Sequence, residues 1–196
     1  MLFHLCSLLT VTDNLTTPTQ LNSRHDHCAS KMAKKKKKSS KPKEEARTFL
    51  IPWLHEEVVD AVSDEIALTW FHENDSDEGS NNEWPTNIMG SFKCGNNACY
   101  KKGWGSKKVA MLIRGYPRNG YNAVVYNQRC RSCEWLGILK LNEQSYIDRV
   151  AYWLKIWAGV PVERPNRRKR KKTPPHESSL CEGCRSGICQ QSNEYG

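Results

Sequence analysis

Seven of the nine cysteines in this chain follow residue 93, and their placing limits what the chain can become more than any other feature. They fall in short-spaced groups, Cys94-Gly-Asn-Asn-Ala-Cys99, Cys130-Arg-Ser-Cys133, and Cys181-Glu-Gly-Cys184 followed by Cys189, with His176 just ahead of the last group. A few residues between two thiols allow one tight turn to aim both sulfurs at a single ion, while amide N–H groups of the turn stabilise the thiolate charge. Cysteines buried only for packing have no reason to cluster at these intervals.

The first two pairs read as turns at strand ends, giving a site of four thiolates in a zinc-ribbon arrangement: Cys94, Cys99, Cys130 and Cys133. The last group supplies His176, Cys181, Cys184 and Cys189 within fourteen residues. Pro174 and Pro175 stiffen its approach, and Gly183 and Gly187 permit the turns that ligation demands. Sulfur-rich tetrahedral sets select zinc, so two Zn2+ ions are expected, and complete ligand sets point to structural rather than catalytic metal. Two local sites are preferred because short loops close at lower entropic cost. Each doubling of loop length adds only about 0.6 kcal/mol, so a crossed arrangement joining Cys94 and Cys99 to Cys181 and Cys184 stays open. Disulfides are disfavoured: the apolar first dozen residues lack a basic n-region and a small-residue cleavage site, and the lysine-rich chain suits a reducing compartment. A redox CxxC would need a βαβ context. Cys6 and Cys28 lie in sequence read as disordered and are not counted as ligands.

The fold class expected is α+β, with a zinc-ribbon-like antiparallel sheet, a following helix and a C-terminal zinc knuckle, preceded by an amphipathic helix. Residues 1–43 read as a disordered Lys-rich tail. Leu50, Leu54, Val58, Val62, Ile66 and Trp70 recur every four residues, predicting a helix over about residues 52–72 within an acidic segment, 44–73. Residues 74–89 read as an acidic loop. Val109–Ile113 and Tyr121–Tyr126 flank a Pro and an Asn-Gly, the mark of an antiparallel hairpin. Trp135–Leu141 reads as a third strand. Asn142 or Ser145 can cap a helix running to about Trp157, which Gly159 and Pro161 end. The zinc domain spans about residues 90–190, with a basic linker at 161–175 and a tail at 191–196.

Charge is divided into blocks. Residues 44–91 hold twelve acids against Arg47, a net −11, whereas residues 92–160 hold twelve bases against three acids and Arg164–Lys172 adds seven bases. The acidic helix could therefore dock on the basic domain and cover part of its surface, or it could simply be part of the core. Lys93, Arg129 and Arg131 flank cysteines, where their charge offsets thiolate; Glu177 and Glu182 also sit beside ligands, with Glu182 expected to face solvent.

Several runs in order resemble one family: Phe92-Lys-Cys94 to Cys99, Trp104-Gly-Ser106, Val109, Tyr126-Asn-Gln-Arg-Cys-Arg-Ser-Cys133, Pro175-His176-Glu177, and Cys181-Glu-Gly-Cys184 with Gly187-Ile-Cys189. Together they closely resemble the three-CxxC zinc fingers, which include many fungal proteins and the animal receptor-transporting proteins. The likeness covers roughly residues 90–190 and departs in the first pair, which has four intervening residues in place of two. It implies a β-rich zinc-binding domain without catalytic machinery. The fungal-type pattern fits better than the membrane-anchored receptor-transporting type, because the chain has no apolar run of about 18 residues.

The functional expectation is a zinc-stabilised interaction module binding a protein partner. The alternative is nucleic-acid binding through the basic domain, the linker, and Trp104, Tyr116 and Tyr121, decided by whether basic and aromatic side chains share one open face. No enzymatic activity, membrane or small-molecule substrate is expected. The basic runs can serve as nuclear-import signals, which leaves nucleus or cytoplasm.

Overall fold

The computed structural model describes residues 47–163 and 176–189. The Lys-rich tail with Cys6 and Cys28, the basic run Arg164–Lys172, Pro174, Pro175 and the 191–196 tail lie outside the described residues.

The continuous apolar run in Val109–Ile113 is explained by a sheet covered on both faces. Six strands form it: β1 (Thr48–Leu50), β2 (Trp70–Phe71), β3 (Asn82–Cys94), β4 (Gly103–Tyr116), β5 (Gly120–Tyr126) and β6 (Gly137–Leu141). Their order is β1-β5-β4-β3-β6, with β2 adding to the far end of β5 in parallel and every other pairing antiparallel. Alternate residues of β4 serve different cores. Val109, Met111 and Ile113 pack with Val58, Val62, Val150 and Leu154 of two helices, α1 (His55–Val62) and α2 (Glu143–Trp157). Ala110 and Leu112 pack with Val124, Tyr126, Cys181 and Cys189 of the C-terminal knuckle. A strand buried on both sides loses its polar alternation.

The expected β4–β5 hairpin forms, turning through Pro117, Arg118 and Asn119, with the last two left-handed at φ 58° and 59°. Gly120 opens β5 and lies under the Trp70 ring, which a Cβ there would meet at 2.3 Å. The helix expected after the third strand also forms, capped by Asn142, whose Oδ1 accepts from Ser145 N–H at 2.9 Å.

Two expectations are corrected. The helix proposed for 52–72 is a 3-10 turn at Pro52–Leu54 and two turns of α-helix ending at Val62. Ser63 Oγ bonds back to the Asp60 carbonyl at 3.0 Å, the chain turns through Ser63, Asp64 and Glu65, and Trp70 and Phe71 take backbone partners on β5. Leu54, Val58, Val62 and Ile66 are all buried in the core shared with α2 and the sheet, so the segment is core and not a separate cover. The acidic loop proposed for 74–89 gives way at Asn82 to β3. Pro85 looked like a breaker there, but β6 pairs with β3 only from Gly90, so Pro85 occupies a stretch with one open side, where a missing N–H is tolerated.

Candidate metal centres

The first centre gathers ligands from three strand ends. Cys94 closes β3; Cys99 follows a turn in which Asn96 Oδ1 accepts from Ala98 N–H at 2.9 Å and Asn96 O from Cys99 N–H at 3.0 Å. Cys130 and Cys133 sit in the turn between β5 and β6, fixed by Cys130 N–H to Trp135 O at 2.8 Å and Glu134 N–H to Cys130 O at 2.7 Å. Sγ of Cys94 lies 3.5 Å from that of Cys133, and Sγ of Cys99 lies 3.9 Å from that of Cys130. A Zn–S bond of about 2.3 Å places the sulfurs of a tetrahedron about 3.8 Å apart, so the donors fit zinc. All four are free thiols.

The second centre is made by the segment holding a 3-10 turn (Ser178–Leu180) and α3 (Glu182–Arg185). His176 Nε2 lies 3.1 Å from Cys184 Sγ and 3.7 Å from Cys189 Sγ, and the donor atoms of His176, Cys181, Cys184 and Cys189 all lie within 4.8 Å of one another. The same bound holds for the first centre. The eight predicted ligands therefore come together as two local sets, and the crossed arrangement is not what the fold builds. The donor sets fit two zinc ions.

Electrostatics show why such sets call for a cation. Burial pushes the Cys94 thiol up to about 12, against the N–H of Asn96, and burial likewise raises Cys133. Burial acts most strongly on Cys130 too, but the N–H groups of Ser132 and Cys133 together with the thiols of Cys94 and Cys133 bring it down to about 7. Cys181 is raised by its hydrogen bond with Cys189 and then by burial, and Cys184 by burial first. Thiols crowded this closely oppose each other's ionisation, and a coordinated dication reverses that opposition.

Residues 87–187, just over half of the 196, match the family model of the 3CxxC zinc ribbon, described as a zinc-binding domain. The chain belongs to this family. No curated protein and no solved structure gives a match. In this 3CxxC zinc ribbon the first pair is Cys-x4-Cys, and the Asn96 turn absorbs the two extra residues while leaving both sulfurs in the set.

The two centres of the zinc ribbon are joined by residues 127–129. Arg129 N–H bonds to Leu180 O at 2.7 Å and Glu182 N–H to Asn127 O at 3.0 Å, while Gly137 N–H bonds to Gln128 O at 2.9 Å on the other side. Glu182, expected in solvent, is instead 2% exposed. Its Oε1 accepts from Arg129 Nε at 2.6 Å, with Arg185 at 3.5 Å and Arg47 at 3.8 Å from the same carboxylate. Acids bordering zinc ligands looked incidental in sequence, and nothing in their spacing revealed this burial.

Beside this seam lies a groove of about 470 Å³ lined by Lys101, Lys107, Lys108, Arg129, Arg131 and Trp104, with His176 and Cys181 of the second centre in its wall. Trp104 stacks on Phe92 at 5.2 Å and donates its indole N–H to Gln128 Oε1 at 3.3 Å. Arg131 is paired with Glu177 at 3.2 Å. No residue of α1 lines the groove, so the acidic helix does not cover it; of the acids on that segment, Glu65 pairs with Lys155. Tyr116 and Tyr121 lie elsewhere, Tyr121 buried in the core and Tyr116 stacked on His72 at 4.4 Å. No helix among the described residues is long and apolar enough to cross a membrane.

Proposed function

We propose that this zinc ribbon is a non-catalytic binding module whose two ions hold a basic groove in shape, and that the groove takes the phosphate backbone of a nucleic acid. The observation that carries the reading is the sharing of one groove by Lys101, Lys107, Lys108 and Trp104, with Arg129 and Arg131 in the same lining paired to Glu182 and Glu177. Cations arranged along a groove track a chain of phosphates and release its counterions on binding. The absence of catalysis is supported by the completeness of the donor sets. Each centre has four protein ligands, whereas a catalytic zinc keeps a position open for water or substrate. Thiolate ligation fits a reducing compartment, nucleus or cytoplasm. A protein partner, ranked first on sequence, is favoured by a different surface, where exposed Trp84 lies 4.2 Å from the Trp153 ring.

The test is fluorescence anisotropy of labelled RNA and DNA oligonucleotides with the zinc-loaded full chain across a salt series. Lys101 and Lys107 are both exposed and neither is a ligand. The K101E/K107E variant is expected to bind at least about tenfold more weakly, with a log–log salt slope shallower by roughly 0.7 for each single-strand phosphate that is no longer neutralised. Unchanged affinity and slope would remove the groove from the binding reaction.

A further inference from the structure

Tyr100 is a large apolar side chain that the fold keeps outside its cores: it is 82% exposed. It is nonetheless held at both ends by the first metal centre. Its backbone directly follows Cys99, and its Oη accepts a hydrogen bond of 3.0 Å from the hydroxyl of Ser132, which lies between Cys130 and Cys133. Its chain neighbour Lys101 and Ser132's neighbour Arg131 both line the basic groove, so the ring is anchored on the two segments that border that groove. An aromatic left in water serves no packing purpose, and a ring fixed in place loses little further freedom when something stacks on it.

We infer that the groove takes a single strand of nucleic acid, with Tyr100 as the platform on which one base stacks while the neighbouring cations hold the phosphates. The inference rests on the proposed function. Every base has a π face, so an aromatic platform beside cations binds single strands with little regard to sequence. The bases of a duplex are stacked on one another and cannot reach the ring. Single-strand preference therefore follows from Tyr100, while the lysines and arginines serve either form.

The test compares a 12-nucleotide oligouridylate with a 12-base-pair RNA duplex, using the zinc-loaded full chain and its Y100A, Y100F and K101E/K107E variants, each checked for two bound zinc ions. Y100A is expected to weaken oligouridylate binding about fivefold or more, with the salt slope and duplex affinity unchanged. Y100F keeps the π face and is expected to stay within about twofold of the unsubstituted protein. If K101E/K107E weakens binding and Y100A does not, the stacking inference is overturned and the groove stands. If K101E/K107E has no effect, the groove falls and the inference with it. Equal weakening of strand and duplex by Y100A also overturns stacking. An arm independent of any variant uses a 5-bromouracil strand irradiated on the unsubstituted protein: cross-linking to Tyr100 is expected, and cross-links confined to other residues overturn the inference.

Discussion

Arg129 and Glu182 belong to different metal centres and meet at 2.6 Å across the seam between them. Arg129 precedes Cys130 of the first set, and Glu182 follows Cys181 of the second. The side chain of Glu182 is 3% exposed and that of Arg129 is 12% exposed, so the pair is nearly dry. Backbone bonds run alongside it, and the knuckle is thereby tied to the strand that leads into the first centre.

Breaking a buried ion pair by removing one partner leaves the other charge uncompensated, at a cost of about 3–5 kcal/mol when burial is complete. Glu182→Ala is therefore expected to lower unfolding free energy by about 3 kcal/mol in chemical denaturation and to release the second zinc at lower chelator concentration. R129M/E182L, which leaves no lone buried charge because Arg47 and Arg185 are both exposed, is expected to recover much of the loss. A change under about 0.5 kcal/mol in Glu182→Ala would make the pair incidental.

Metal content is read by native mass spectrometry of the full chain, where two zinc ions are expected. His176→Ala removes one donor of the second set and is expected to leave one ion on Cys94, Cys99, Cys130 and Cys133, with the sheet intact by circular dichroism. Chelation of both ions should unfold the domain, because ligation contributes directly to folding. Loss of both ions in His176→Ala would show that the seam makes the two centres one cooperative unit.

What the sequence made legible follows from how local each signal is. Ligand pairs and their turns are fixed by spacings of two to four residues, and the β4–β5 hairpin and α2 cap by adjacent residues, so each could be read directly. Leu54, Val58, Val62 and Ile66 were rightly seen as one buried stripe, but the apolar period outlasted the helix. The chain after Val62 is held by Trp70 and Phe71 on β5, a contact about fifty residues distant in sequence. Pro85 hid the start of β3 because the open side that tolerates it depends on where β6 ends. Glu182 and Tyr100 were missed for the same reason: one is buried and the other positioned by partners, Arg129 and Ser132, from another part of the chain.

Gly183 is where the knuckle touches the sheet. A Cβ there would lie 2.4 Å from Ala110 Cβ on β4, too close for either backbone to stay in place. Gly183→Ala is expected to destabilise by about 1–3 kcal/mol through overpacking and to weaken zinc retention at the second centre. Removing the other methyl in the G183A/A110G double variant should restore part of both. Wild-type stability in the single variant, or no recovery in the double, would place the contact elsewhere.

The acid response of the helix side of the core is set in part by His55, at the start of α1. Its ring packs against Phe71 and Tyr121, with centroids at 6.1 Å and 5.7 Å, and its Nδ1 shares a 3.2 Å hydrogen bond with the Tyr121 hydroxyl. Burial lowers its pKa below the ordinary 6.5, against an opposing pull from Glu56. Tyr121 is itself raised by burial and then by Glu57, so it faces the imidazole as a neutral phenol. The unfolded chain thus takes up the proton at higher pH than the folded one. Stability from this group is complete above about pH 6.5 and is lost as pH falls through the folded value. The effect is small because the ring is only partly buried. Proton NMR should place the His55 titration midpoint below 6.5, and denaturation between pH 7.5 and 6.0 should show less loss of stability in His55→Asn than in the unsubstituted protein. A midpoint at or above 6.5, or equal pH sensitivity in the two proteins, would rule this role out.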